Sequence, residues 1–435
     1  MRTDKRLLMI SPHFPPDSSA GTHRVRLLAP HLPEYGWTPT VLTVAEQDYE
    51  GRVDPELAAL VPASLDVVRT RALPVRLTRR LGVGDLGLRA LPGLRRTAWQ
   101  LQHAHAFDAV FITIYPTYPA VLGPMLKRRF GMPFVLDYQD PWVSAWGKEV
   151  GGGRGGAVDA KSRSTRTLAE KLEPRVLRAA DGVTAVSART YEDAFERTGF
   201  TPRAVAEIPI GWDQADVDAL GRRRACLRLI PDDGRVNLCY TGTLLPLGVA
   251  SLRAMFAGAR ALIERDPQLA DRLRFYFFGT SNQTAGGDPR VLPHARDLGV
   301  EHLVHEHPAR LDYLDALDVL RQASALLLLG SSERHYTPSK VFPALLANRP
   351  LLALYHREST VVDMLRVAAP PPAAQVITFD DSRPVESVVG CIAESLRALI
   401  RGAGSGVSIN RAALEPWSAR TLAGRLAALC DRIAA

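Results

Sequence analysis

Short apolar runs alternate with amphipathic segments from one end of this chain to the other, and the alternation occurs in two successive series. Apolar runs of this length, spaced by helix-like text, are what parallel strands buried on both faces and joined by crossover helices require. In the first series, strands are expected at 6–11, 39–44, 109–114, 133–137, 182–187 and 205–209. In the second, they are expected at 236–242, 273–279, 303–305, 325–330, 350–355 and 376–379. Helices are expected at 22–32, where Pro30 should kink or end the segment, and at 252–264, 310–323 and 338–347. The fold class is therefore α/β, with two Rossmann-like parallel-sheet domains facing a central cleft. The changeover falls at 205–220, giving a first domain over 1–205 and a second over 206–415. In open sheets of this kind ligands sit beyond the strand C-terminal ends, so functional residues should follow strands directly.

A chain of 435 residues is long enough for two or three domains. With 46% apolar and 23% charged residues, it is not a wholly disordered, collagen-like or coiled-coil chain. The longest apolar stretches, such as 325–329, fall far short of the roughly 20 residues of a bilayer span. Cys226, Cys239, Cys391 and Cys430 show no paired spacing, so neither a disulfide framework nor a zinc ribbon is expected. Cys239 reads as core, and His305-Glu306-His307 lacks a third ligand nearby, so no metal is expected. These features together make a cytoplasmic protein the expectation.

The net charge of +8 is concentrated. Residues 69–96 hold eight arginines against a single acid, Asp85. Such a stretch reads either as a surface for anionic lipid or an acidic acceptor, or as a solvated face. Nucleic acid is not an expected partner, because only Trp99 supplies the aromatic interleaving of a single-strand binder.

Three segments carry chemistry. The first strand runs into a turn, His13-Phe-Pro-Pro-Asp-Ser-Ser-Ala-Gly21-Thr-His-Arg24, that feeds a helix. It matches neither the dinucleotide fingerprint nor a P-loop, which argues against a nicotinamide dehydrogenase or a P-loop NTPase. A later strand ends in Asp137-Tyr-Gln-Asp140-Pro-Trp, placing two carboxylates at a strand end, where Asp140 could accept a proton or bind hydroxyls, or cap a turn. The third is a buried strand followed by a polar loop with Glu333, Arg334 and His335, then Pro-Ser339-Lys340 at a helix start. Helix-start amides and Lys340 suit a phosphate, but each dipolar contact is worth only ~0.3–1 kcal/mol, so several must converge.

In order along the chain, LLMISPHFPPDSSAGTHRVR, DYQDPW, YTGTL and PSKVFPALLANRPLLAL resemble the motifs of GT-B glycosyltransferases of the family 4 type. The terminal segment 416–435 is similar to the helix that, in this family, crosses back onto the first domain. The resemblance implies transfer of a sugar from a nucleoside diphosphate to an acceptor hydroxyl, with retention, in glycan or glycosylated natural-product biosynthesis. It implies no cofactor beyond that co-substrate and no metal. Donor contacts would fall on Gly21, Gly242, Thr243, Gly279, Thr280, Ser281, Glu333, Arg334, His335, Ser339 and Lys340. His13, Arg24, Asp137 and Asp140 would line the acceptor side, with Asp140 and Lys340 as the catalytic pair. A small-molecule, glycan or lipid-linked acceptor is implied, with 69–96 as the place for contact with the inner face of a membrane.

Two departures keep other functions open. Where relatives carry a ribose-gripping glutamate, this chain has Pro343, and its TGTLLPLG turn lacks the usual Arg and Lys. Losing a carboxylate–hydroxyl pair costs ~1.5–3 kcal/mol of binding. A sugar-nucleotide epimerase, a pseudo-glycosyltransferase or a non-catalytic transferase-like subunit are the alternatives.

Overall fold

The computed structural model describes residues 5–143, 160–223, 227–281, 287–331, 339–402 and 406–435. The chain divides into two compact units, one of Met1–Asp213 with Trp417–Ala435, the other of Gln214–Pro416.

The first unit is built on a seven-stranded, wholly parallel sheet. Its strands are β1 (Lys5–Ile10), β2 (Trp37–Val44), β3 (Asp66–Thr70), β4 (Ala109–Thr113), β5 (Phe134–Tyr138), β6 (Gly182–Ala185) and β7 (Ala204–Glu207). They lie in the order β3-β2-β1-β4-β5-β6-β7. The side-chain period of two shows in β1. Leu8 and Ile10 enter one core with Ala90, Leu94 and Phe134, while Leu7 and Met9 enter the opposite one with Val25 and Leu426. Each such fully buried side chain contributes about 1.5–3 kcal/mol of transfer free energy, which fixes the register of β1 in the sheet. Helix α1 (Thr22–Leu28) stops before Pro30, and a 3-10 turn over Ala29–Tyr35 carries the chain on to β2. Helix α2 (Leu86–His105) starts with Asp85 as its cap, whose side chain accepts from the Leu88 amide at 2.9 Å.

The C-terminal segment completes this unit. Trp212 and Ser418 pair as a parallel bridge, with the Trp212 amide 3.2 Å from the Trp417 carbonyl and the Ala419 amide 2.7 Å from that of Trp212. The terminal helix Ala419–Ala434 then buries Leu422, Leu426, Leu429, Cys430 and Ile433 against the β1 face. Asp431 fastens it, accepting from Lys5 Nζ at 2.7 Å and Trp37 Nε1 at 3.0 Å.

The second unit holds a six-stranded parallel sheet ordered β10-β9-β8-β11-β12-β13. Its strands are β8 (Val236–Thr241), β9 (Leu273–Phe278), β10 (Val304–His307), β11 (Ala325–Leu329), β12 (Leu351–His356) and β13 (Ala374–Phe379). The segment Pro246–Arg265 is long and apolar enough, by length and composition, to cross a membrane, which corrects the expectation that no segment would be. Its helical part, α3 (Val249–Arg265), turns Leu252, Met255, Phe256, Ala259 and Leu262 into the second core, so core packing accounts for that apolarity. Strand β3 was not expected. Its sequence, Asp-Val-Val-Arg-Thr, is only half buried at the sheet edge and lacks a continuous apolar run.

Candidate functional site

In the first unit, two residues expected on the acceptor side face each other instead. The Arg24 guanidinium grips the Asp137 carboxylate, with Nε at 3.1 and 3.0 Å and Nη2 at 2.5 Å, and both side chains are buried. Arg24 Nη1 also donates to the carbonyls of Ile208 and Pro209, and the Thr184 hydroxyl donates to Asp137 at 2.6 Å. A buried charge needs such saturation, and these groups have none left for a diphosphate or an acceptor. Arg24 and Asp137 thus tie α1 to β5, β6 and the segment after β7.

The loop after β1 wraps around a carboxylate that sequence reasoning passed over. Asp17, 3% exposed, accepts from His13 Nδ1 at 2.7 Å, from the Thr22 hydroxyl at 3.1 Å and from the Ser19 hydroxyl. Burial works to raise its carboxyl, but the hydrogen bonds and charge of His13, with the two hydroxyls, hold it below the usual carboxylate range. The signal was an Asp inside a Pro-rich turn, flanked by a His four residues before it and hydroxyls two and five after it. His13 lies between the rings of Tyr49, 6.2 Å away and near parallel, and Tyr115, at 5.5 Å. Gly21 was expected to let a donor approach closely. The group that approaches is Tyr115, whose Cδ1 would lie 2.2 Å from a Cβ at Gly21.

At the end of β5, Asp140 is exposed, yet desolvation by the surrounding protein pushes its carboxyl up. Its neighbour Gln139 is 8% exposed, and its Nε2 is a buried donor with no partner among the described residues. Buried donors without partners are rare and mark places that a ligand or water satisfies.

The arginine-rich stretch is less of a free surface than its composition suggests. Arg71 grips Asp48 at 2.8 and 3.2 Å. Arg89, buried, reaches Glu50 at 2.7 Å, Arg79 pairs with the same Glu50, and Arg69 lies 3.7 Å from Glu46. Arg76 and Arg80 remain exposed with no ion pair among the described residues, beside Leu73 and Leu77, which are 48% and 60% exposed.

In the second unit the turns after β8 and β9 lie side by side. Gly242 and Gly279 take φ of 110° and 69°, which L side chains resist. Lys340 reaches the first turn: its Nζ donates to the Tyr240 hydroxyl at 2.8 Å and the Thr243 carbonyl at 3.1 Å, and lies 4.6 Å from the centre of the Tyr240 ring. A Cβ at Gly242 would stand 2.4 Å from Lys340 Cε, so the glycine is what admits the lysine. The amides of Gly242 and Leu244 go to the carbonyls of Phe278 and Thr280, those of Gly279 and Ser281 to the carbonyls of His307 and Pro308. The half-buried Thr243 keeps an amide with no partner among the described residues. The structure thus brings Gly242, Thr243, Gly279 and Lys340 together.

Thr280 and Ser281, expected to touch the donor, are buried at 0% and 1% exposure. The Thr280 hydroxyl donates to Glu306 on β10. Glu306 also accepts from the amides of Arg290, Val291 and Leu292 at 2.8–3.1 Å, fixing this part of the chain against β10. The His305 ring stacks on Tyr276 at 4.8 Å. Ser339 directly precedes Lys340 in a turn, and Pro343 sits in the first turn of the helix Val341–Leu346, where a proline is tolerated. Glu333, Arg334 and His335 lie outside the described residues, as does the glycine-rich 151–156.

Comparison with known proteins supplies what geometry alone does not. Residues 20–211 match the glycosyl transferase 4-like domain. No curated protein matches this chain. The fold is similar to that of a UDP-forming α,α-trehalose-phosphate synthase from Burkholderia xenovorans, with a TM-score of 0.60 at 12% identity over 99% of this chain and 100% of that one. A glycosyltransferase from Rickettsia africae gives 0.54 at 11%, covering 97% and 96% of the two chains. The N-terminal domain of a Candida albicans trehalose-6-phosphate phosphatase gives 0.58 at 10%, covering 99% and 97%. At such identities the likeness is one of fold, and that fold is GT-B.

Proposed function

We propose that this chain, a GT-B protein carrying a glycosyl transferase 4-like domain over residues 20–211, transfers a sugar from a nucleoside diphosphate to an acceptor hydroxyl. The observation that carries the reading is the ammonium of Lys340, set at the Gly242–Thr243 turn beside an amide with no partner among the described residues. A fixed cation and a donor N–H at one turn suit the charge that develops on a departing diphosphate, and preorganised stabilisation of such charge usually contributes most to catalysis. In the first unit, Asp140 and Gln139 Nε2, which has no partner among the described residues, are the groups we assign to hydroxyls of the reacting sugar or the acceptor. The scheme routes no step through a metal. Retention at the anomeric carbon is part of the proposal, on the strength of the resemblance.

The proposed setting is the cytoplasm. Leu73 and Leu77, with Arg76 and Arg80 around them, form the surface proposed to meet anionic membrane lipid.

A thermal-shift panel of UDP, GDP, ADP, CDP and dTDP tests the donor assignment. A true ligand at a hundredfold excess over its dissociation constant adds about 2.7 kcal/mol. Lys340→Ala should weaken a diphosphate far more than the parent nucleoside, and equal weakening would remove Lys340 from the phosphate role. No shift with any nucleotide would turn the reading towards a transferase-like subunit without donor, to which Pro343 already lends a motive.

A further inference from the structure

Tyr240 is a tyrosine where packing alone asks for a phenylalanine. It shares a face of β8 with Val236 and Leu238, enters the second core with Phe256, Phe275 and Phe277, and is 5% exposed. Its ring centre lies 5.6 Å from that of Phe277, and the three phenylalanines fill the same core without a hydroxyl. A buried phenol needs partners, and Tyr240 finds them at the turn that follows β8. Its hydroxyl donates to the Thr243 carbonyl at 3.2 Å and accepts from Lys340 Nζ at 2.8 Å.

Holding the turn does not require that hydroxyl. The Gly242 and Leu244 amides already fasten it to the Phe278 and Thr280 carbonyls, at 2.7 and 3.0 Å. What the hydroxyl adds is a place for the ammonium. Lysine carries a point charge on a flexible four-carbon stem, so the stem by itself does not fix where the charge stands. Here Nζ meets three groups of one short segment: the Tyr240 hydroxyl, the Thr243 carbonyl at 3.1 Å, and the Tyr240 ring, 4.6 Å from its centre. All three are neutral. Burial pushes the Tyr240 hydroxyl up, so no phenolate forms there to cancel the charge of the lysine. Neutral partners of this kind settle the position of a cation and leave its charge in place. A cation placed beforehand needs no reorganisation when negative charge develops beside it. The Thr243 amide, which has no partner among the described residues, belongs to the same turn.

We infer that Tyr240 is the positioning residue for Lys340, its hydroxyl setting the place from which the ammonium meets the diphosphate. The inference rests on the transfer reading above and adds to it the group that fixes its central cation. Tyr240 acts through the lysine and is not itself assigned a contact with the donor.

A double-mutant cycle on the full-length protein tests this: wild type, Tyr240→Phe, Lys340→Met and the two together. Calorimetry gives the affinity for whichever of UDP, GDP, ADP, CDP and dTDP the wild type binds, and for the parent nucleoside. Loss of one hydrogen bond to a charged group corresponds to about tenfold or more in affinity. Tyr240→Phe, which keeps the ring in the core, should therefore weaken the diphosphate about tenfold and leave the nucleoside unchanged. It should add nothing to the loss already caused by Lys340→Met. A merely structural role would weaken both ligands, and equally so with or without Lys340. Without nucleotide, acetylation of Lys340 by acetic anhydride, read by mass spectrometry, should be faster in Tyr240→Phe than in the wild type. Unchanged diphosphate affinity in Tyr240→Phe, a loss that persists undiminished beside Lys340→Met, or unchanged acetylation overturns the inference and leaves the transfer reading standing. A wild type that binds none of the five nucleotides overturns the transfer reading, and the role assigned to Tyr240 falls with it.

Discussion

Arg24 and Asp137 are 113 residues apart in sequence and meet in a two-pronged contact, Nε at 3.1 and 3.0 Å and Nη2 at 2.5 Å from the carboxylate, with no more than 1% of either side chain exposed. Removing one partner of such a pair leaves an uncompensated buried charge, at a cost of about 3–5 kcal/mol. Arg24→Met and Asp137→Ala should each destabilise the first unit by that amount in urea titrations. A loss below about 1 kcal/mol would be that of an exposed pair and would contradict the burial described.

Gly242→Ala is expected to act on ligand binding more than on folding. The new methyl would lie 2.4 Å from Lys340 Cε and occupy a backbone region unfavourable to L residues. The lysine must then leave the Tyr240 hydroxyl and the Thr243 carbonyl. The expected readout is loss of the nucleotide-induced thermal shift, in parallel with Lys340→Ala. A variant that keeps the full shift would show that the position of Lys340 at the turn is immaterial.

His31 makes the stability of the first unit depend on pH. Its hydrogen bond to Asp213 raises its pKa, against the opposing effect of burial, with Glu34 adding to the rise. A group whose pKa is raised on folding contributes fully below its unfolded value, about 6.5, and loses that contribution as pH climbs through the folded value. Melting of the wild type should therefore fall between pH 6 and the alkaline side of neutrality relative to His31→Gln. Parallel pH profiles for the two proteins would exclude His31 as the source.

Glu306 holds three backbone amides and the Thr280 hydroxyl with one carboxylate. Hydrogen bonds to charged groups are worth about 1.5–3 kcal/mol each, and stranding the donors adds to the loss. Glu306→Ala should destabilise the second unit by about 3 kcal/mol and speed amide exchange at Val291 and Leu292. Unaltered exchange there would mean that water replaces the carboxylate at no cost.

The exposed pair Leu73 and Leu77 gives the membrane proposal a narrow target. Sedimentation with vesicles containing phosphatidylglycerol should pull down the wild type at low salt and lose Leu77→Glu. Equal sedimentation of both, or none with anionic vesicles, would withdraw that surface.

Parallel strands announce themselves because both faces are buried, which is why β1, β4, β5, β8 and β11 could be placed within a residue or two from apolar runs alone. The edge strand β3 could not, since Asp66 and Arg69 face solvent and break the run. At the sites, what sequence offers is residue type near a strand end, and that puts Lys340 and Gly242 in one group of residues, which the structure brings into contact. Whether a charged side chain reaches outward or is consumed by a distant partner is decided by the fold. Arg24 reads as an acceptor-side residue until Asp137 is brought against it, and the arginines of 69–96 read as a patch until Glu46, Asp48 and Glu50 arrive from the loop after β2. Asp17 was legible only as a turn residue, because its importance lies in three groups from its own loop and from α1 converging on one carboxylate.

The bridge between Trp212 and Ser418 gives the order of synthesis a consequence. A ribosome making this chain delivers the whole second unit before the helix that seals the first, so the β1 face of the earlier half stays open until Leu422, Leu426 and Leu429 emerge. The same bridge sets the two ends of that long excursion side by side. The second unit is thereby an insertion between neighbouring points, and a foreign domain with adjacent termini could take its place without stretching the half that receives it.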